Sequence, residues 1–141
     1  MIRTLAAIAA LAPVAAYGAD VSVALSGLPS TEGAVEVSLC TEETWMTKDC
    51  ETKTIRADAD PLAVAFADVA PGVYAVIAVH DENTNGKLDL RWYGAPKEVY
   101  GVSNNPPLRR GPDRFEDARF DVGEDDIELS VVLRGWGEGR R

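Results

Sequence analysis

Apolar residues alternate with small or polar ones in Val21-Ser22-Val23-Ala24-Leu25 and again in Ala34-Val35-Glu36-Val37-Ser38-Leu39. A period of two predicts strands with one buried face. Residues 52–56 repeat the pattern weakly and residues 62–66 more clearly, the latter followed by the turn Asp68-Val69-Ala70-Pro71-Gly72. The run from Gly72 to His80 is rich in β-branched residues and apolar at nearly every second position from Val73, which predicts a central strand. Two more strands are predicted over residues 118–122 and 127–133, on either side of the acidic turn Gly123-Glu124-Asp125-Asp126. About seven short strands, with turn signals between them and no amphipathic helix, predict an all-β fold, a single antiparallel β-sandwich. One stretch departs from this rhythm. From Asp81 to about Asp117 the chain is irregular, with Gly, Pro and Asn throughout, and a loop of that length in a compact domain points to function or to disorder.

The first residues add an address. Met1-Ile2-Arg3-Thr4 is a short basic start, and Leu5 through Tyr17 carries no charge. Ala16-Tyr17-Gly18 then places small side chains where a signal peptidase reads them, so cleavage is expected after Gly18 or after Ala19. The apolar run is shorter than the roughly 20 residues that span a bilayer and has no cationic stop. No later segment is apolar enough to span, and no Cys beside the cleavage region offers a lipid anchor. The expected organisation is a secretory signal over residues 1–19, a sandwich domain over 20–134 and a mobile tail over 135–141. Periplasmic or secreted localisation follows. The mature chain of about 120 residues suits one core rather than two. Its formal net charge of −9 becomes −10 when Arg3 leaves, a surface that repels nucleic acid and anionic lipid.

Export gives the two cysteines a compartment in which a disulfide persists, and Cys40 and Cys50 are expected to pair. The bridge would clamp the mouth of a polar loop that contains Trp45 and Met46. Closing so short a loop contributes roughly 2 to 3 kcal/mol by the chain-entropy account. A two-thiol metal or redox site lacks both the C-x-x-C spacing and a nearby His.

The irregular stretch opens with Asp81-Glu82-Asn83-Thr84-Asn85-Gly86-Lys87-Leu88-Asp89. Oxygen-bearing side chains stand at relative positions 1, 3, 5 and 9 and a Gly at 6, the spacing of the first three-quarters of a calcium loop. A chain curling around a hard cation presents every second side chain, and Gly at position 6 permits the sharp turn. Asp81, Asn83 and Asn85 are candidate side-chain ligands, the Lys87 carbonyl a backbone ligand, and Asp89 a direct or water-mediated one. Position 12, where an EF-hand has a bidentate Glu, is Trp92, and the flanks read as strands, so this is not an EF-hand. Glu98 is the best candidate for the missing oxygen, with Asp113 and Asp117 behind it. The competing reading is a plain hairpin turn around Asn85-Gly86. Calcium is expected over magnesium because the set offers many oxygens in flexible geometry.

The run from Val79 to Asp89, followed by Gly94-Ala95-Pro96-Lys97-Glu98-Val99-Tyr100-Gly101-Val102-Ser103-Asn104, resembles the DUF2141 family of exported bacterial proteins. Phe66 to Ala75 and Arg114 to Phe120 resemble it too, so the likeness covers most of the mature chain. That family is uncharacterised, and the resemblance implies no activity. The Pro71-Gly72-Val73-Tyr74 entry into a strand is similar to transthyretin-like and carboxypeptidase-regulatory β-sandwich modules, a likeness of fold alone.

Nothing in the chain assembles a catalytic set. Gly101-Val102-Ser103-Asn104-Asn105 misses a nucleophile elbow at its last position. The one histidine, His80, is expected to cap the loop from its strand end. Glu98 with Asp113 or Glu116 has no spacing that argues for glycoside hydrolysis. The expectation is a non-catalytic exported protein with a calcium-organised loop in a structural or interaction role. The alternative is a carbohydrate- or peptide-binding module that uses Trp92, Tyr93 and Tyr100 beside the loop. An unidentified protein or glycan would then be the partner. Asn104-Asn105-Pro106-Pro107 reads as a connector.

Overall fold

The computed structural model describes residues 18–84, 98–107 and 112–135. In chain order these form β1 (Ala19–Ser26), β2 (Ala34–Cys40), β3 (Glu51–Arg56), β4 (Leu62–Val69), β5 (Gly72–Asp81), β6 (Tyr100–Val102), the one-turn helix α1 (Phe115–Ala118), β7 (Phe120–Val122) and β8 (Ile127–Val132). Two sheets pack face to face. One has the order β4-β1-β8, and the other has β3-β2-β5-β6 with β7 also paired to β5. The all-β sandwich is therefore present, with one difference. β8 runs parallel to β1, in the register Val21↔Ile127 to Ser26↔Val132, so the smaller sheet is mixed. Alternation sorts a strand's two faces but carries no information about the direction of its neighbour. Among the described residues no helix is long and apolar enough to cross a membrane.

The period-two residues do what their spacing predicts. Val21, Val23 and Leu25 of β1, Val35, Val37 and Leu39 of β2, and Leu62, Val64 and Phe66 of β4 all turn into one core, joined by Val76 and Ala78 of β5. The opposite face of the larger sheet has a second, smaller cluster of Ala75, Val102, Phe115 and Ala118, with Trp45 and Ile77 against it. The edges are tied down by side chains. Lys53 of the edge strand β3 donates to the Ala65 carbonyl of the edge strand β4, and its ammonium lies 5.2 Å from the Phe66 ring centroid, which links the two sheets. Asn105 accepts from Val132 N and donates to the Ser130 carbonyl, each at 2.8 Å, so its amide substitutes for a neighbouring strand along β8. The expected connector is thus a bracket.

β6 and β7 share one edge of β5, β6 against residues 77–79 and β7 against residues 72–74. Ser103 sits where that edge strand breaks. Its N–H donates to Val76 O at 2.9 Å, its hydroxyl accepts from Val76 N at 2.9 Å, and the same hydroxyl donates to Ala118 O. Asn104, in the left-handed region at φ 68°, donates its amide to the Asp117 and Arg119 carbonyls, closing the neck of the 103–119 excursion. Ser103→Ala is expected to destabilise the fold by about 1–3 kcal/mol, because it leaves two buried main-chain groups unpaired. Urea unfolding with an unchanged slope would measure this.

Candidate functional site

β5 leaves the core at its C-terminal end and turns two neighbours, His80 and Asp81, in different directions. His80 is fully buried on the core side, where its backbone pairs with Val35. Its Nε2–H donates to the Glu32 carbonyl at 2.6 Å, and its Nδ1 has no hydrogen-bond partner. The histidine therefore caps the loop between β1 and β2, not the segment after Asp81 as the sequence suggested. Gly33 makes that contact possible. With φ 75°, it lies so close to Asp81 O that a Cβ would sit 2.1 Å from it.

Asp81 is on the other face, 4% exposed. The β5–β6 register runs Ile77↔Val102, Ala78↔Gly101 and Val79↔Tyr100, and His80 N donates to Val99 O at 3.1 Å. Carried one residue further, the same register sets Glu98 across from Asp81, and Glu98 is only 7% exposed. Each end of the 81–98 segment thus carries a buried acidic residue.

The remaining candidates divide sharply. Asn83 is exposed in the turn that follows Asp81, and its carbonyl accepts from the Thr84 hydroxyl at 2.8 Å. Asn85, Lys87 and Asp89 lie outside the described residues, as do Trp92 and Tyr93. Asp117 forms an ion pair with Arg114 at 3.2 Å on the surface. Asp113 is buried and its carboxylate accepts from the Tyr100 phenol. Tyr100 is therefore covered on the outer face of the sheet and offers no face to a sugar or peptide, which removes it from the aromatic surface expected beside the loop. Among the described residues no three His, Cys, Asp or Glu side chains group closely enough to hold a metal ion.

Two contributors were missed in the sequence. Trp45, in the loop closed by the Cys40–Cys50 disulfide, donates its indole N–H to the Asp113 carbonyl at 3.0 Å. Arg134 pairs its backbone with Tyr100 in both directions and donates a guanidinium N–H to Pro106 O at 2.7 Å. A lone aromatic in an otherwise polar, disulfide-clamped loop was the available signal for Trp45.

A family profile described as an uncharacterized protein conserved in bacteria, DUF2141, matches residues 23–130, which is most of the chain. The chain belongs to the DUF2141 family. That span runs from β1 into β8 and takes in both Asp81 and Glu98. Comparison with curated proteins and with solved structures returns no match.

Burial, and after it the Asp113 carboxylate, push the Tyr100 phenol up from 10.0 to about 12, while Arg134 pulls the other way. Between those two values the unfolded chain releases a proton that the folded chain keeps, so stability falls as pH rises through that window. The melting temperature is expected to drop from pH 10 to 12 more steeply in the wild type than in Tyr100→Phe, as calorimetry across that range would record.

Proposed function

We propose that this DUF2141 protein works outside the cytoplasm as a non-catalytic β-sandwich whose 81–98 segment is organised by a calcium ion, in a structural or interaction role. The observation that carries the reading is the burial of Asp81 and Glu98 at the two ends of that segment, just beyond the paired residues of β5 and β6. A divalent cation bound there would take an oxygen from each end of the segment at once. The oxygens of Asn83, Asn85 and Asp89 and the Lys87 carbonyl, spaced as calcium loops space them, would complete its shell. Calcium suits such a set because it takes six to eight oxygens in adaptable geometry.

Two further observations support the non-catalytic half. The Ser103 hydroxyl is spent on Val76 and Ala118, and the His80 Nε2–H on Glu32, so the serine and the histidine that hydrolytic chemistry would need are both fully buried and bound to main chain. The Cys40–Cys50 disulfide and the apolar start of the chain support export. Export also suits a weak site. A loop without a position-12 Glu is expected to bind in the roughly 10⁻⁴ to 10⁻³ M range of extracellular calcium modules.

Calorimetric titration of the mature chain should give calcium binding in that range, weaker binding of magnesium, and a melting temperature that rises with calcium. At a hundredfold excess over Kd the stabilisation is about 2.7 kcal/mol. Glu98→Gln should remove most of the binding. Absence of heat together with an unmoved melting temperature at millimolar calcium, or full affinity in Glu98→Gln, would sink the reading.

A further inference from the structure

The loop between Cys40 and Cys50 reaches beyond its own neck. Cys40 is fully buried at the end of β2 and Cys50 half-buried before β3, so an incoming reagent meets the Cys50 sulfur first. Between them Trp45 folds back onto the outer face of the larger sheet. Its indole holds the Asp113 carbonyl, and its ring meets Phe115 edge-on at 6.0 Å and 67°. Asp113 in turn holds the Tyr100 phenol. Phe115 and Ala118 lie over Ala75 and Val102 in the smaller cluster, which shares no residue with the main core.

The segment held by these contacts has little order of its own. α1 is a single turn with no side-chain cap at its start, far below the roughly 12–15 residues at which an isolated helix persists. Its internal bonds are Asp117 N to Arg114 O at 3.1 Å and Arg119 N to Phe115 O at 2.9 Å. Tertiary contacts must therefore keep it in place, from Ser103 and Asn104 at one end and from Trp45 at the other.

We propose that the disulfide is a redox-sensitive latch on residues 112–119: reduction by a dithiol frees Trp45 and loosens that segment from the outer face while the main core stays folded. A reductant thiolate attacks the Cys50 sulfur, the S–S bond breaks, and Cys40 leaves as a thiolate that takes up a proton. The second thiol of the reductant then attacks the mixed disulfide and releases Cys50 as a thiol. Two electrons and two protons pass to the protein, and the dithiol becomes a disulfide. The latch is separate from the calcium reading, and its two sides meet at the pair of Trp45 and Asp113 rather than at Asp81 or Glu98.

Amide hydrogen exchange on the mature chain, followed by NMR in the presence of a chelator, tests this without reference to calcium. Dithiothreitol, with both thiols verified by mass, should speed exchange at Asp117 and Arg119 at least about tenfold while Val23 and Val64 keep their rates. Oxidised Trp45→Phe, which keeps a ring but lacks the donor to Asp113, should speed the same two amides in part. Unchanged rates at Asp117 and Arg119 after reduction would overturn the proposal. So would equal acceleration at Val23 and Val64, which would make the disulfide a global stabiliser, and so would wild-type rates in Trp45→Phe.

Discussion

The register between β5 and β6 is the constraint on which the outer face depends, because one alignment fixes four things together. With Val79 opposite Tyr100, Asp81 comes to face Glu98, and Val102 falls beside Ile77 in the smaller cluster. Gly101 meets β8 so closely that a Cβ there would stand 2.4 Å from Val132 O. Ser103 lands opposite Val76, where its hydroxyl plugs the break between β6 and β7. A shift of one residue would turn Tyr100 toward the core and Gly101 outward, exchanging every partner. Gly101 in the middle of a strand only three residues long and Ser103 just past its end therefore guard the register.

Side chains complete what so short a strand cannot. Asn105 stands in for a strand along β8, Lys53 joins β3 to β4, and the backbone of Arg134 pairs with Tyr100 as the chain crosses from one sheet to the other. Each supplies hydrogen bonds to main-chain groups at a sheet edge, where unpaired groups invite association with another chain. The smaller cluster beneath Trp45 is a second layer laid on this frame. Trp45 of the disulfide-closed loop packs against it and holds the Asp113 carbonyl.

The longer strands were legible because Val21, Val23 and Leu25, or Leu62, Val64 and Phe66, write the period of two directly. β6 was not, since Tyr100-Gly101-Val102 offers only two large residues and its ladder is decided by Gly101 and Ser103. Residues 118–122 were read as one strand, but Ala118 closes a helical turn and only Phe120–Val122 pairs, because two apolar residues two apart suit either geometry. The disulfide was legible from compartment and spacing. Glu98 was singled out from the ligand set that calcium needs, and its place opposite Asp81 came from pairing that no local pattern records. The roles of Asn104, Asn105 and Ser103 rest on side-chain bonds to distant main chain, which leave no periodic trace.

The central claim is that Asp81 and Glu98 close one cation site from the two ends of the 81–98 segment. A crystal structure of the mature chain grown in millimolar calcium tests it most directly. The account predicts one ion with oxygens of both Asp81 and Glu98 at about 2.3–2.6 Å, the ordinary calcium–oxygen range. A lysine or arginine of the same chain seated between the two carboxylates, with no ion present, would contradict it.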